Sequence, residues 1–172
     1  MGQINWFDRD FSFQQKENIM PSVIERLEGT PIRLRQKLEK FKVSKLTFQP
    51  HGKWSILEHL GHLSDLEPLW QARLNDILQG ADFLRPADLT NTQTTQANHN
   101  GRTTDYLLSK FESLRLTTLQ RLNDLSEADI FRFALHPRLK TPMRTLDLFI
   151  FVAEHDDHHL AKITALGRLH QV

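Results

Sequence analysis

Phe151-Val152-Ala153-Glu154-His155-Asp156-Asp157-His158-His159-Leu160-Ala161-Lys162-Ile163 is the stretch from which the chain is best read. On an α-helix, residues four apart lie about 40° apart around the axis and ~6 Å apart along it. His155 and His159 therefore project from one face. Extended at helical spacing, that face carries Val152, His155, His159, Ile163 and Leu166, so two imidazoles stand where hydrophobic residues stand on either side. Burying an imidazole without a hydrogen-bond partner costs on the order of 1–3 kcal/mol, and a metal ion that accepts both lone pairs removes that cost. The pair reads as metal-ligating or, since two histidines at this spacing occur by chance in many helices, as solvated or bonded to neighbouring side chains.

A chain of 172 residues, 39% hydrophobic and 25% charged, fits one globular domain able to bury a core. The expectation is a single domain over residues 1–172, with 1–19 as an N-terminal extension. The 22 basic and 21 acidic residues are interspersed and leave a formal net charge of +1, without the electrostatic footprint of a nucleic-acid or membrane-surface protein. The expected partner is a small molecule, with neither nucleic acid nor membrane. Cysteine is absent, which excludes disulfides and thiolate metal sites and leaves His, Asp and Glu as available ligands. Met1 to Gln15 lack the apolar run of a signal peptide, no segment approaches a membrane span, and Trp6 stands where a myristoylation motif after Gly2 needs Ser or Thr. These features predict a cytoplasmic chain.

Helical patterning runs from about Met20 to Phe41, with a break expected where Thr30 is a candidate N-cap and Pro31 a first helical residue; Ile32, Leu34, Leu38 and Phe41 supply its buried side. After a polar connection, Ser55 and Glu58 form a capping box. Ile56, Leu60, Leu63, Trp70, Leu74 and Ile77 then carry a stripe to about Leu78, with a kink or break expected at Pro68. Gly80 to Gly101 has no periodicity, and loops of that length are often functional. A third helix is expected from about Thr104 to Leu125 with Leu107, Phe111, Leu114, Leu122 and Leu125 inward, then a short turn over Ser126 to Ile130. Thr141-Pro142 repeats the cap signal and starts the last helix, to about Leu169. No strand is evident. The fold class is all-α, a four-helix bundle with a long loop between the second and third helices, and bundles build sites from side chains facing inward on different helices.

That architecture predicts a further ligand from another helix, and the second helix carries His59 and His62. His59 lies nearer the middle of the stripe of Ile56, Leu60 and Leu63, where a packed histidine is expected. His62 lies beyond its edge, where an open metal site could use it. The helical wheel leaves the choice open.

Trp54-Ser55-Ile56-Leu57-Glu58-His59-Leu60-Gly61-His62-Leu63-Ser64-Asp65 resembles the second-helix motif of the DinB/YfiT-like family of metalloenzymes, and His155 to Ile163 resembles its last-helix motif. His136-Pro137 followed by Thr145-Leu146 is similar to the YfiT-like pattern, and the likeness spans about residues 20 to 170. The resemblance implies a four-helix bundle, often a homodimer, with three histidines around one divalent metal per chain. The family's second-helix ligand falls on His62 and its last-helix ligands on His155 and His159. His59 and His158 are then packing or supporting residues, with His158 an alternative ligand three residues from His155.

Three imidazoles on zinc at about 2.0–2.1 Å leave a fourth position open, as in catalytic rather than structural sites. An ion so held lowers the pKa of a bound water towards ~7, polarises a substrate oxygen, or binds and activates a thiolate. Nickel, manganese and iron accept the same set; zinc or nickel is expected. The family resemblance implies a hydrolase or an S-transferase that uses a low-molecular-weight thiol. A non-catalytic metal-binding or dimerisation bundle is the alternative, kept open because no unambiguous general base accompanies the histidines. Glu58, one turn before His62, is a candidate base, although its capping box suits a structural role, and His136 is a second catalytic candidate. Asp65 and Asp156 are candidates to orient ligand imidazoles through their second nitrogens, or else are solvated on exposed faces. His136, Arg138, Asn98, Asn100 and Arg102 are candidates to meet substrate at the mouth of the site. His51, His99 and His170 read as surface residues.

Overall fold

The computed structural model describes residues 3–169; Gly2 and His170, read above, lie outside them. In chain order the elements are α1 (Met20–Leu38), α2 (Val43–Leu46), α3 (Ile56–Leu78), α4 (Thr92–Gln96), α5 (Thr104–Asn123), α6 (Glu127–Phe131), β1 (Phe133–Leu135), β2 (Pro142–Arg144) and α7 (Thr145–Arg168). The four long helices form a four-helix bundle. Both α1 and α3 pack against α5 and α7, which sets α1 and α3 across a diagonal. No described helix is long and apolar enough to cross a membrane.

The apolar stripes make two cores. Met20, Val23, Leu27, Trp70, Leu74, Ile77, Leu122 and Val152 fill one; Leu34, Leu38, Ile56, Leu60, Leu63, Phe111, Leu160 and Ile163 fill the other. Between them, one turn wide on every long helix, lies a polar layer of Thr30, Glu67, Arg115, Thr118 and Asp156, all buried. Arg115 organises it. Its guanidinium donates to Glu67 Oε1 at 2.9 and 2.6 Å, to the Asp156 carboxylate at 2.7 and 3.1 Å and to the Leu27 carbonyl at 3.0 Å, while Thr118 donates to Glu67 Oε2 at 2.5 Å.

This layer explains why α1 does not break at Gly29-Thr30-Pro31. Proline removes the N–H that would bond the carbonyl four residues back, here that of Leu27, and Arg115 supplies the missing donor. The helix therefore runs on through Pro31, and Thr30 bonds back to the Arg26 carbonyl at 3.1 Å rather than capping. Ile32, expected inward, is exposed. Likewise α3 continues through Pro68, and its N-terminus carries the expected capping box: Ser55 accepts from the Glu58 N–H and Glu58 accepts from the Ser55 N–H. On α5, Arg115 and Thr118 take the inward positions while Leu114 stays half-buried, and Leu125, past the end of the helix, is half-buried as well.

Two strands replace the expected helix start at Thr141-Pro142. Phe133–Leu135 pairs antiparallel with Pro142–Arg144, and α7 begins at Thr145, where Asp147 accepts from the Arg144 N–H at 3.0 Å and from its guanidinium at 2.7 Å. Three-residue strands are too short to show alternation in a sequence. The 80–101 segment is not an open loop: it pairs Phe83 with Leu135, contains α4, and buries Leu84, Thr94 and His99.

Candidate metal centre

His62 on α3 and His155 and His159 on α7 come together at the edge of the polar layer. One ring nitrogen from each lies within 4.8 Å of the others, and all three side chains are buried. His155 Nε2 and His159 Nε2 are 3.1 Å apart. Two nitrogens on a tetrahedral ion with bonds of ~2.0–2.1 Å stand about 3.3 Å apart, so the spacing suits a shared cation. Burial disfavours the charged ring: it takes His62 down to about 4 and holds His155 and His159 well below the usual imidazole range. Neutral rings are the form that ligates.

The outer nitrogens are held from behind. His59 Nδ1 lies 2.8 Å from His159 Nδ1, and His62 Nδ1 lies 3.0 Å from Thr94 Oγ1. Thr94 in turn donates to Asp65 Oδ2 at 3.0 Å, and His99 Nε2 meets the same oxygen at 2.8 Å. The His62 ring thus sits on a relay from α3 to the 80–101 segment, with its Nδ1 occupied and its Nε2 free to face inward. Gly61 makes this possible: a Cβ there would lie 2.3 Å from the His99 ring.

The three rings form part of the lining of a cavity of about 420 Å³, within the usual range for small-molecule sites. Trp54, Trp70 and Phe151 supply aromatic wall, and Trp6 and Phe7 of the N-terminal segment close one side. That segment is anchored over α7. Gln3 Nε2 bonds His158 Nδ1 at 3.0 Å, Trp6 lies edge-on to His155 with ring centres 5.0 Å apart, and Arg9 pairs with Glu154 at 2.6 Å.

A family model, the DinB superfamily, matches residues 26–163. The chain belongs to the DinB superfamily. Among solved structures it is similar to YfiT from Bacillus subtilis, described as "a probable metal-dependent hydrolase with an unusual four-helix bundle topology", at 23% identity and a TM-score of 0.79, over 93% of this chain and 92% of that one. It is also similar to the colibactin self-resistance protein ClbS, seen in complex with double-stranded DNA, at 12% identity and a TM-score of 0.60, over 91% of this chain and 100% of that one. No curated protein sequence matches. The ClbS complex overturns the expectation of no nucleic-acid partner. A protein of this fold is found on DNA, so a balanced total charge does not exclude one: net charge sums the whole chain, whereas a duplex meets one face.

Within this DinB bundle the other predicted residues fall as follows. His62, which the helical wheel put beyond the apolar edge, is buried, and His59 is half-buried. Trp54 lies 4.7 Å from the His62 ring and α4 covers its other side. Glu58 is committed to the Ser55 N–H at 2.7 Å and to Gln49 at 2.7 Å and is not in the cavity lining. Asp65 reaches His62 only through Thr94. Asp156 is buried on Arg115, not solvated, and orients no imidazole; His155 Nδ1 has no partner among the described residues. His136 and Arg138 line the cavity. Asn98, Asn100 and Arg102 do not: Asn100 accepts from Ser55 Oγ at 2.6 Å, and Arg102 stacks on Tyr106. His51 is exposed, but His99, read as a surface residue, is buried against Asp65. Thr94 and Arg73 were not foreseen. Arg73 continues the stripe of His62, Leu66, Trp70 and Ile77, and a guanidinium at such a position is the signal that could have found it.

Proposed function

We propose that the chain is a metal-dependent enzyme in which His62, His155 and His159 hold one divalent ion, zinc or nickel, and a small molecule reacts in the adjoining cavity. The observation that carries this reading is three neutral, buried imidazoles converging on the wall of a 420 Å³ cavity. An ion bound there supplies Lewis acidity to a group that would otherwise be a weak nucleophile or a poorly polarised electrophile. The chain's own part is positioning and exclusion of water. Thr94 and His59 hold two of the rings from behind, and the aromatic walls keep solvent from the reacting group.

Hydrolysis is the first reading, supported by the likeness to YfiT. A thiol-dependent transfer is the second, and one observation favours it. Glu58, Asp65 and Asp156 are all committed elsewhere, so proton handling falls to His59 and His158 in the lining. Burial takes these to about 3 and 4, which makes them weak bases at neutral pH. The test is metal analysis of the purified chain followed by a screen of esters, amides and thiol–electrophile pairs. About one equivalent of metal that disappears in His155→Ala, with metal-dependent turnover, is the expected result; full metal retention in that variant would overturn the site.

A further inference from the structure

We propose that Arg73 and His136 form an oxyanion subsite in the same cavity, so that the substrate carries a terminal carboxylate or phosphate on an apolar body. The inference takes the cavity to be the substrate site of the function proposed above. Arg73 is 2% exposed, yet no carboxylate among the described residues pairs with it. The nearest acid, Asp76, is taken by Arg85, through its backbone N–H at 2.9 Å, Nε at 3.0 Å and Nη2 at 2.6 Å. Arg73 Nε donates to the Arg85 carbonyl at 3.0 Å and the guanidinium lies 5.6 Å from the Trp70 ring centre. Its two Nη groups have no hydrogen-bond partner among the described residues, and the residue lines the cavity. The Asp76 charge still acts on Arg73, but no carboxylate among the described residues makes an ion pair with it; a buried guanidinium so placed is costly, and an oxyanion is the partner its fork fits. Burial lowers its pKa to about 10, which still leaves it charged at neutral pH.

His136 adds a fixed donor. Its Nδ1 accepts backbone N–H groups from Arg138 at 3.3 Å and Leu139 at 3.1 Å, which places the ring proton on Nε2. Burial and the charges of Arg73 and Arg138 keep the ring neutral, and His136 and Arg73 line the same cavity. The one carboxylate in the lining, Asp88, accepts from the Thr90 and Thr92 N–H groups at 2.9 and 2.6 Å. Charge and donor therefore line a cavity whose one lining carboxylate among the described residues already bonds its own segment. Trp6, Trp54 and Trp70 offer the surface for an apolar body.

The test is a titration of the full chain, stripped of metal with a chelator, with 3-phenylpropanoate, phenyl phosphate and the neutral 3-phenylpropanamide, followed by tryptophan fluorescence and calorimetry. At least one anion should bind about 10-fold or more tightly than the amide. Arg73→Met should remove that preference and leave amide binding unchanged. Preference for the carboxylate alone or the phosphate alone supports the subsite and identifies the group. Equal binding of amide and both anions, or an unchanged preference in Arg73→Met, would overturn it. If Arg73→Met does not fold, Arg73→Lys and His136→Ala carry the comparison: reduced preference in either supports the subsite, and unchanged preference in both overturns it. Because no metal is present, a chain that binds no metal leaves this result standing. Absence of any anion preference in the parent chain, with its metal stoichiometry intact, would sink the subsite alone.

Discussion

Replacing Thr94 with valine keeps the shape of a buried side chain and removes one hydroxyl. That hydroxyl has a single proton, which it gives to Asp65 Oδ2 at 3.0 Å, so it can only accept from His62 Nδ1 at 3.0 Å. The His62 proton is thereby fixed on Nδ1 and the lone pair on Nε2. In Thr94→Val the Nδ1–H is left buried without an acceptor, at a cost of about 1–3 kcal/mol. Asp65 keeps His99 and the Lys110 ammonium at 3.5 Å, so most of the stability loss should come from the imidazole. Losing the group that orients a ligating histidine typically weakens metal binding about 10–100-fold, or about 1.4–2.7 kcal/mol. Competition for zinc against a chromophoric chelator measures the affinity, and a urea titration measures the fold. Thr94→Ser retains the hydroxyl and should bind zinc nearly as the parent does. A folded Thr94→Val that binds zinc as tightly as the parent, or a serine variant that loses as much as the valine, would refute the reasoning.

Three further outcomes follow from buried groups. Arg115→Met leaves Glu67 and Asp156 buried without their cation and the Leu27 carbonyl without a donor; a loss of about 3–5 kcal/mol is expected in urea unfolding, and a loss below about 1 kcal/mol would contradict it. Gly61→Ala puts a Cβ 2.3 Å from the His99 ring, so His99 and the 80–101 segment must shift. A loss of about 1–3 kcal/mol and weaker zinc binding should appear together, and a variant equal to the parent in both would show that His99 does not pack as described. Finally, burial holds His62, His136 and His158 at about 4 against an ordinary 6.5. Between these values the unfolded chain binds protons that the folded chain does not, so stability is full above about pH 6.5 and falls as the pH drops towards 4. Urea midpoints should decline across that window, and a flat profile would show that the rings are not buried neutral.

How much of this was legible depended on whether a residue's surroundings are local. The 3.6-residue stripes, the Ser55–Glu58 box and the four-residue spacing of His155 and His159 are properties of one helix, and each could be read along the chain. The burial of His62 is not: Trp54 and Thr94 cover it, and Thr94 comes from a segment with no periodicity. Pro31 reads as a break because its neighbours in sequence hold no donor for the Leu27 carbonyl; the donor, Arg115, is on α5. Asp156 suits either an imidazole-orienting role or a solvated one for the same reason: its partner Arg115 is on another helix. Arg115 lies where the stripe of Phe111, Thr118 and Leu122 places an inward residue, so the charge was visible, but its two carboxylate partners sit on α3 and α7. Pairing across helices was the information that single-helix patterns lack.

The same division shapes what the site can vary. The three histidines and the polar layer behind them stand on the four long helices, where packing on both sides fixes each side chain. The remaining walls come mostly from segments outside the long helices: Trp6 and Phe7 before α1, Pro86, Leu89 and Asn91 before α4, and His136 to Arg138 between the strands. A substitution in those three segments changes the shape and polarity of the cavity while leaving the buried core of the bundle in place. A substitution at Glu67, Arg115 or Asp156 disturbs the bundle first and the site through it. Two proteins of this fold can thus share helices at 23% identity and differ in the segments that wall the cavity. Arg73 is the exception that makes the substrate reading sharp: it stands on a core helix, where an unpaired charge is costly, and it faces the cavity.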